Sequence, residues 1–204
     1  MATEDSTGER TAQQRFGTMS RAASFLATQV LSHLNQEMCD FVARQDMVFI
    51  ATADAQGACD SSFRAGATGF VYVLDQTTLA YPEYRGNGVF ASIGNILENA
   101  HIGLLFLDFT RTTIGLHVNG RARVLTSQEA LELPHVPSAM RNAVQVQGGR
   151  RPEAWVIIDV EQAYVHCAKH VPLMQRVDKH IAWGSDDETV KGGNFFAANS
   201  ISRP

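Results

Sequence analysis

Between Asp60 and Ile96, three short stretches gather hydroxyl, guanidinium and amide side chains at the ends of apolar runs: Asp60-Ser61-Ser62-Phe63-Arg64-Ala65-Gly66, Tyr81-Pro82-Glu83-Tyr84-Arg85-Gly86-Asn87 and Ser92-Ile93-Gly94-Asn95-Ile96. Serine hydroxyls and an arginine fork are donors that suit a phosphate, and a Pro/Gly/Asn loop entering a helix offers amide hydrogens and a backbone that can lie against a flat ring. Arg64 is the only basic residue between Arg44 and Arg85, so charge ranks it first among these groups. The alternative for Arg64 is a solvated charge at a strand end that matters little to folding. For Ser92 and Asn95 the alternative is a polar helix face.

A second set of chemistry-bearing residues lies later. His166, Cys167, His170 and His180 include His-x-x-x-His and Cys-x-x-His spacings that suit a metal or haem on one helix. His166 and Cys167 close an apolar alternating run, however, where neighbouring side chains point to opposite faces, and this favours packing and hydrogen bonding over ligation. The chain contains no Gly-x-Ser-x-Gly, no Gly-x-x-x-x-Gly-Lys-Ser/Thr and no Gly-x-Gly-x-x-Gly, which removes the common hydrolase, P-loop and dinucleotide-fold readings.

The elements that must position these groups follow from periodicity. Val30, Leu31, Leu34, Met38, Phe41 and Val42 recur at helical spacing and predict one amphipathic helix over 20–44. Residues 47–53 read as a buried strand, turning at Asp54-Ala55-Gln56-Gly57 into a strand over 58–64. Residues 69–75 and 78–82 make a second hairpin, with Pro82 ending the ladder because it has no N–H. Phe90, Ile93 and Leu97 predict a short helix over 90–99 whose polar face, Ser92, Asn95 and Asn99, is open to a ligand. An apolar run over 101–109 and an alternating one over 114–125 predict long antiparallel strands joined by a tight turn. Thr126-Ser127-Gln128-Glu129 has the form of a capping box, and strands return over 155–160 and 163–167. Six or seven strands in hairpins with interspersed helices predict a mainly β (α+β) antiparallel barrel.

The 204 residues, 45% apolar and 19% charged, fit one domain with appended arms. We divide them into a flexible tail over 1–19, a barrel domain over 20–184 and an arm over 185–204, either ordered on a partner subunit or disordered. A net charge of −4 with no basic stripe argues against a nucleic-acid partner, and no apolar run is long enough for a membrane span. Cys39, Cys59 and Cys167 are an odd number at long spacings, which fits free thiols in a reducing compartment. The polar start lacks the basic and apolar blocks of a secretory signal, so a cytoplasmic protein is expected.

In order and spacing, Met47 to Val124 resembles the pyridoxamine 5′-phosphate oxidase-like family of FMN-binding split β-barrels. Tyr164-Val165-His166-Cys167-Ala168-Lys169 and Trp183 extend the likeness toward the C-terminus. The resemblance implies a homodimer with two FMN sites at the subunit interface. Carried over by position, it implies that Arg64 pairs with the FMN phosphate beside Ser62, and that Tyr81, Pro82 and Asn87 wrap the ribityl chain and ring edge. It further implies that Ser92 and Asn95 contact the same ligand, and that Trp183 lies against the flavin ring from the partner subunit.

Departures from the family pattern carry equal weight. Phe63 stands where many relatives have proline, Ala65 where glycine is frequent, Gly88 where arginine is common, and Ser92 where the B6 oxidases themselves have lysine. The phosphate site is therefore less basic than usual. The residues that hold the substrate phosphate in true B6 oxidases have no counterpart; the nearest sequences are Ser138-Ala139-Met140-Arg141 and Arg176-Val177-Asp178-Lys179-His180. The expectation is an FMN-dependent oxidoreductase that acts on a small organic molecule, with NADH, NADPH or oxygen as second partner, and not a vitamin B6 oxidase. Trp183, Phe63 and Phe195-Phe196 are the expected walls of an apolar substrate pocket. The competing expectation is a module that binds flavin or haem without turnover.

Overall fold

A computed structural model describes residues 6–193 and 195–197. Among the described residues, eight strands form one antiparallel sheet in the order β3-β2-β6-β7-β8-β5-β4, with β1 also pairing β8. The strands are β1 (Val30–Leu31), β2 (Met47–Ala53), β3 (Cys59–Ala65), β4 (Tyr72–Asp75), β5 (Thr78–Tyr84), β6 (His101–Leu107), β7 (Gly115–Leu125) and β8 (Pro152–His166). The helices are α1 (Thr7–Phe16), α2 (Met19–Gln29), α3 (Gln36–Ala43), α4 (Ala91–Glu98), α5 (Ser127–Leu131), α6 (Ser138–Val144) and α7 (Glu188–Lys191). This is an α+β split barrel. The split runs between β3 and β5, which exchange no ladder hydrogen bonds and are joined by a side-chain ion pair described below.

The helix expected over 20–44 is interrupted. α2 stops at Gln29, and Val30 and Leu31 pair with Tyr164 and Ala163 of β8. Asn35 then caps α3 by accepting the Met38 N–H at 2.9 Å. The break satisfies backbone that a continuous helix would leave off the sheet: the N–H of fully buried Leu34 donates to the Gln76 carbonyl at 2.7 Å. Part of the expected tail is also helical. α1 has a complete Ser6/Glu9 capping box and a left-handed Gly17 at its end, yet buries no residue.

Two further expectations yield to the sheet. β5 runs through Pro82, which lies opposite Trp155, and continues to Tyr84. β4 begins opposite Ala80, so past that point β5 has a ladder neighbour on one side only, and there a missing N–H is tolerated. The two C-terminal strands are one fifteen-residue strand, β8, with a bulge at Glu161 where the register against Asn119 and Gly120 shifts. Gly120 is required there, because a Cβ would run into the Asp159 carbonyl. The β6–β7 connection is a loop rather than a tight turn. Asp108 organises it by accepting from the backbone N–H groups of Thr110, Arg111 and Thr112.

β8 is buried on both faces along Trp155–Ile158. Val156, Ile158 and Val160 join Ile50, Leu79, Tyr81, Leu104 and Phe106 inside the barrel. Trp155 and Ile157 face outward under α5 and α6, against Leu74, Ala130 and Met140. Each of these aliphatic side chains contributes about 1.5–3 kcal/mol by leaving water.

Candidate functional site

Period-two alternation along β3 puts Asp60, Ser62 and Arg64 on one face and Phe63 on the other, where it packs on Phe49 at 5.5 Å. Across the split, the same alternation on β5 aligns Tyr81 with Glu83. The loop after Tyr84 leaves the sheet and enters α4 through Phe90, a non-glycine residue in the left-handed region at φ 54°. That backbone costs about 1 kcal/mol or more and turns the first turn of α4 back toward β3.

The result is a cleft of about 360 Å³ lined by Asp60, Ser62, Arg64, Glu83, Tyr84 and 86–92. No side chain caps α4, and its first intrahelical backbone bond is from Gly94 to the Phe90 carbonyl. The amides before Gly94 therefore have no such partner at the end of α4 that lines the cleft, a natural position for an anion. The Arg64 Nε donates to Glu83 at 3.0 Å and its Nη1 to the Phe63 carbonyl at 3.1 Å. The pair is largely buried, with 20% of the Arg64 and 10% of the Glu83 side chain exposed. Burial pushes the Glu83 carboxyl above the usual glutamate range; Arg64 opposes that shift, and Glu153 adds to it.

The structure brings Ser62, Arg64, Asn87 and Ser92 to this one cleft. It does not leave both serines free. Ser62 donates to Asp60 at 3.0 Å, and the Ser92 hydroxyl, 2% exposed, lies 3.1 Å from Asp60 and 3.3 Å from Ser62. Asn95 donates to Thr52 at 3.0 Å and Asn99 to the Asp54 carbonyl at 3.4 Å, so the polar face of α4 is largely spent on β2 and its turn. Asn87 accepts the Val89 N–H and shapes the loop. Pro82 is buried in β5. Tyr81 is fully buried, its phenol raised well above the ordinary range chiefly by desolvation, and its hydroxyl is the buried side-chain polar atom without a hydrogen-bond partner among the described residues.

Trp183 is placed beside this cleft within its own chain. Its ring meets Tyr84 at 5.3 Å, and the Arg150 guanidinium lies 5.4 Å from its centroid. The backbone at Trp183 and Gly184 rests directly on Gly149, where a Cβ would collide with the Trp183 carbonyl. Asp186 then pairs with Arg85 at 2.7 Å and with Lys191 at 3.0 Å, contacts within the chain at the start of the C-terminal arm. These contacts border a second cleft, about 960 Å³, that shares Gly86, Asn87, Gly88 and Phe90 with the first. Phe195 and Phe196 pack on each other, both exposed, and neither they nor Phe63 line either cleft; residues 194 and 198–204 of the arm lie outside the described residues.

Sequence reasoning missed Asp60 and Glu83, the two acids of the cleft. The signal for Asp60 was present in its i, i+2, i+4 relation to Ser62 and Arg64. Glu83 was hidden by the assumption that Pro82 ends the strand. Of the histidine and cysteine set, His166 accepts or donates at 2.9 Å to His117, which stacks on Tyr164 at 4.7 Å. Cys39, Cys59 and Cys167 are free thiols. No group of three or more metal-ligating side chains occurs among the described residues, and no helix among them is long and apolar enough to cross a membrane.

No curated protein matches the chain. Similar solved structures include HupZ from Group A Streptococcus, 26% identical over 65% of this chain and 99% of its own, with a TM-score of 0.49. Another is an FAD-binding protein from Mesorhizobium loti, 15% identical over 67% of this chain and 96% of its own, TM-score 0.44. A third is the haem storage protein HutZ from Vibrio cholerae, 13% identical over 65% and 94%, TM-score 0.40. The family model described as Pyridoxamine 5′-phosphate oxidase matches residues 34–167, from the residue that leads into α3 to the one that follows β8. That span takes in well over half of the chain and every strand of the barrel except β1, and the chain belongs to the pyridoxamine 5′-phosphate oxidase family.

Proposed function

We propose that the cleft at the barrel split binds FMN through its phosphate and that the protein is an FMN-dependent oxidoreductase acting on a small organic substrate. The observation that carries this reading is the convergence of Arg64 and the uncapped start of α4 on one concave site. Arginine and helix amides are the donors a phosphate monoester selects. FMN, when bound, supplies the redox chemistry. The chain's own residues orient it: Arg64 and the α4 amides fix the phosphate, the loop through Gly86, Asn87 and Gly88 gives backbone access, and Tyr84 with Trp183 provides an aromatic edge. Ser62 and Ser92 turn to the ligand by releasing Asp60, while Asn95, Tyr81 and Pro82 set the positions of α4 and β5 behind it.

In the assembled protein we place FMN at the interface of a homodimer, with NADH, NADPH or oxygen as the second reactant. Three free thiols favour a reducing, cytoplasmic setting. Pyridoxamine and pyridoxine 5′-phosphates are not substrates in this reading, because Arg141 and Arg176 do not converge on the cleft and Arg176 is held by Asp46.

The test is the absorption spectrum of the purified protein, the flavin released by heat and anaerobic bleaching by NADH or NADPH. FMN with bleaching supports the reading. A haem Soret band without flavin, or FAD in place of FMN, overturns it. FMN that no nicotinamide nucleotide or substrate reduces marks a carrier without turnover.

A further inference from the structure

Arg64 already has a partner. The guanidinium that a phosphate would take is engaged at 3.0 Å by Glu83, and Glu83 has no other cation or hydrogen-bond donor among the described residues. It lines the cleft but lies largely out of water. Glu83 is fixed in β5 opposite Ala154, between Pro82 and Tyr84, with a tenth of its side chain exposed.

The ionisable groups around it are few. β3 contributes Arg64 and Asp60, β8 contributes Glu153, and β5 itself contributes Tyr81 and Tyr84. The first turn of α4, Ala91 to Ile93, brings none, and Arg85 of the loop is held by Asp186. Apart from Arg64, then, every group within this set that carries charge at neutral pH is an acid. A phosphate that takes Arg64 leaves Glu83 as a largely buried carboxylate near Glu153 and the phosphate itself, in a cleft that Asp60 also lines. A buried charge without its partner is met by neutralisation.

We propose that Glu83 sets the affinity of the cleft for phosphate-bearing ligands by exchange: the phosphate displaces it from Arg64, and Glu83 takes up a proton from solvent as it loses the ion pair. The neutral carboxyl becomes a hydrogen-bond donor as well as an acceptor, beside a Tyr81 hydroxyl that feels the charge of both Glu83 and Arg64 and has no partner of its own. Binding then weakens as pH rises, by up to about tenfold per pH unit for one coupled proton. This inference rests on the phosphate reading of the cleft.

Calorimetric titration of FMN into apo-protein, in two buffers of different ionisation heat at pH 7, counts the protons. Wild type is expected to take up close to one proton per FMN. The phosphate itself, with a second pKa of about 6, contributes little and in the opposite direction. Glu83→Gln is expected to abolish the uptake, flatten the pH dependence and bind FMN about tenfold or more tightly at pH 8. No net uptake by wild type at pH 7, or an equal count in wild type and E83Q, overturns the exchange while leaving FMN binding intact. The wild-type count decides the matter even if E83Q does not fold. Absence of FMN binding to wild type overturns the flavin reading and the exchange together.

Discussion

At the scale of single residues, the Arg64–Glu83 pair changes what a mutation should do. From the sequence alone, Arg64 reads as an exposed charge whose removal spares the fold. In the structure its removal strands a buried carboxylate. Arg64→Ala is therefore expected to raise the FMN dissociation constant about 10- to 150-fold and also to destabilise the apo-protein by about 2 kcal/mol. The double variant R64A/E83Q should regain most of that stability without regaining affinity. FMN titration alongside urea unfolding of both proteins checks the two halves, and a double variant as unstable as R64A would place the damage elsewhere. The raised carboxyl of Glu83 also predicts a sign. Its neutral form is favoured in the fold, so its contribution to stability is fully present below the ordinary glutamate value and declines as pH rises through the raised one. Unfolding of apo wild type and E83Q across pH 4–7 should differ by that decline. Chemistry and spacing made Ser62, Arg64, Asn87 and Ser92 legible as neighbours. What they did not disclose is that Asp60 occupies the serines and Glu83 the arginine, since ion pairing across a split depends on which strands fail to pair.

At the scale of elements, the clearest sequence signals were local ones. The alternation of β7, the Thr126/Glu129 cap of α5 and the Asp54–Gly57 turn all appear where the pattern puts them. The break between α2 and α3 did not show, because Val30 and Leu31 satisfy helical spacing as well as strand pairing and only the distant β8 decides between them. The course of β5 through Pro82 was hidden for the same reason: its tolerance depends on where β4 begins. Two element-level outcomes follow from the contacts. Gly149→Ala should lift the 183–186 segment from its seat without touching the barrel core. Trypsin should then cut after Lys179 or Arg176 much faster than in wild type at nearly unchanged melting temperature, and equal cleavage would mean that Trp183 is held by its ring contacts alone. The second concerns β7 and β8. Burial and the neighbouring His166 hold the His117 imidazole below the ordinary histidine value, so the neutral ring is the folded form. Stability should therefore fall as pH drops below about 6.5, and His117→Gln should flatten that fall. Urea midpoints between pH 5 and 7 measure it.

For the whole molecule, binding at the split should be visible as stability, because the cleft lies among β3, β5 and α4, and no ladder pairs β3 with β5 directly. FMN at one hundred times its dissociation constant is expected to add about 2.7 kcal/mol, a rise of roughly 5–10 °C in melting temperature for a chain of this size. Differential scanning fluorimetry reads it directly, and R64A at the same FMN concentration should show far less. The barrel class was legible from the count and alternation of strands. The strand order was not, because it is fixed by which distant edges meet. β8 shows the result most fully. It is the ladder partner of β1, β5 and β7 and supplies both hydrophobic clusters. During synthesis, therefore, residues 30–125 emerge with no spine to assemble on, and β1 waits for a partner more than a hundred residues downstream. Such long-range closure is slow, leaving β1 and the facing edges of β5 and β7 without ladder partners until His166 clears the ribosome. A nascent chain stalled before Pro152 should be protease-sensitive throughout and a client for chaperones, and resistance should arrive in a single step once β8 is complete.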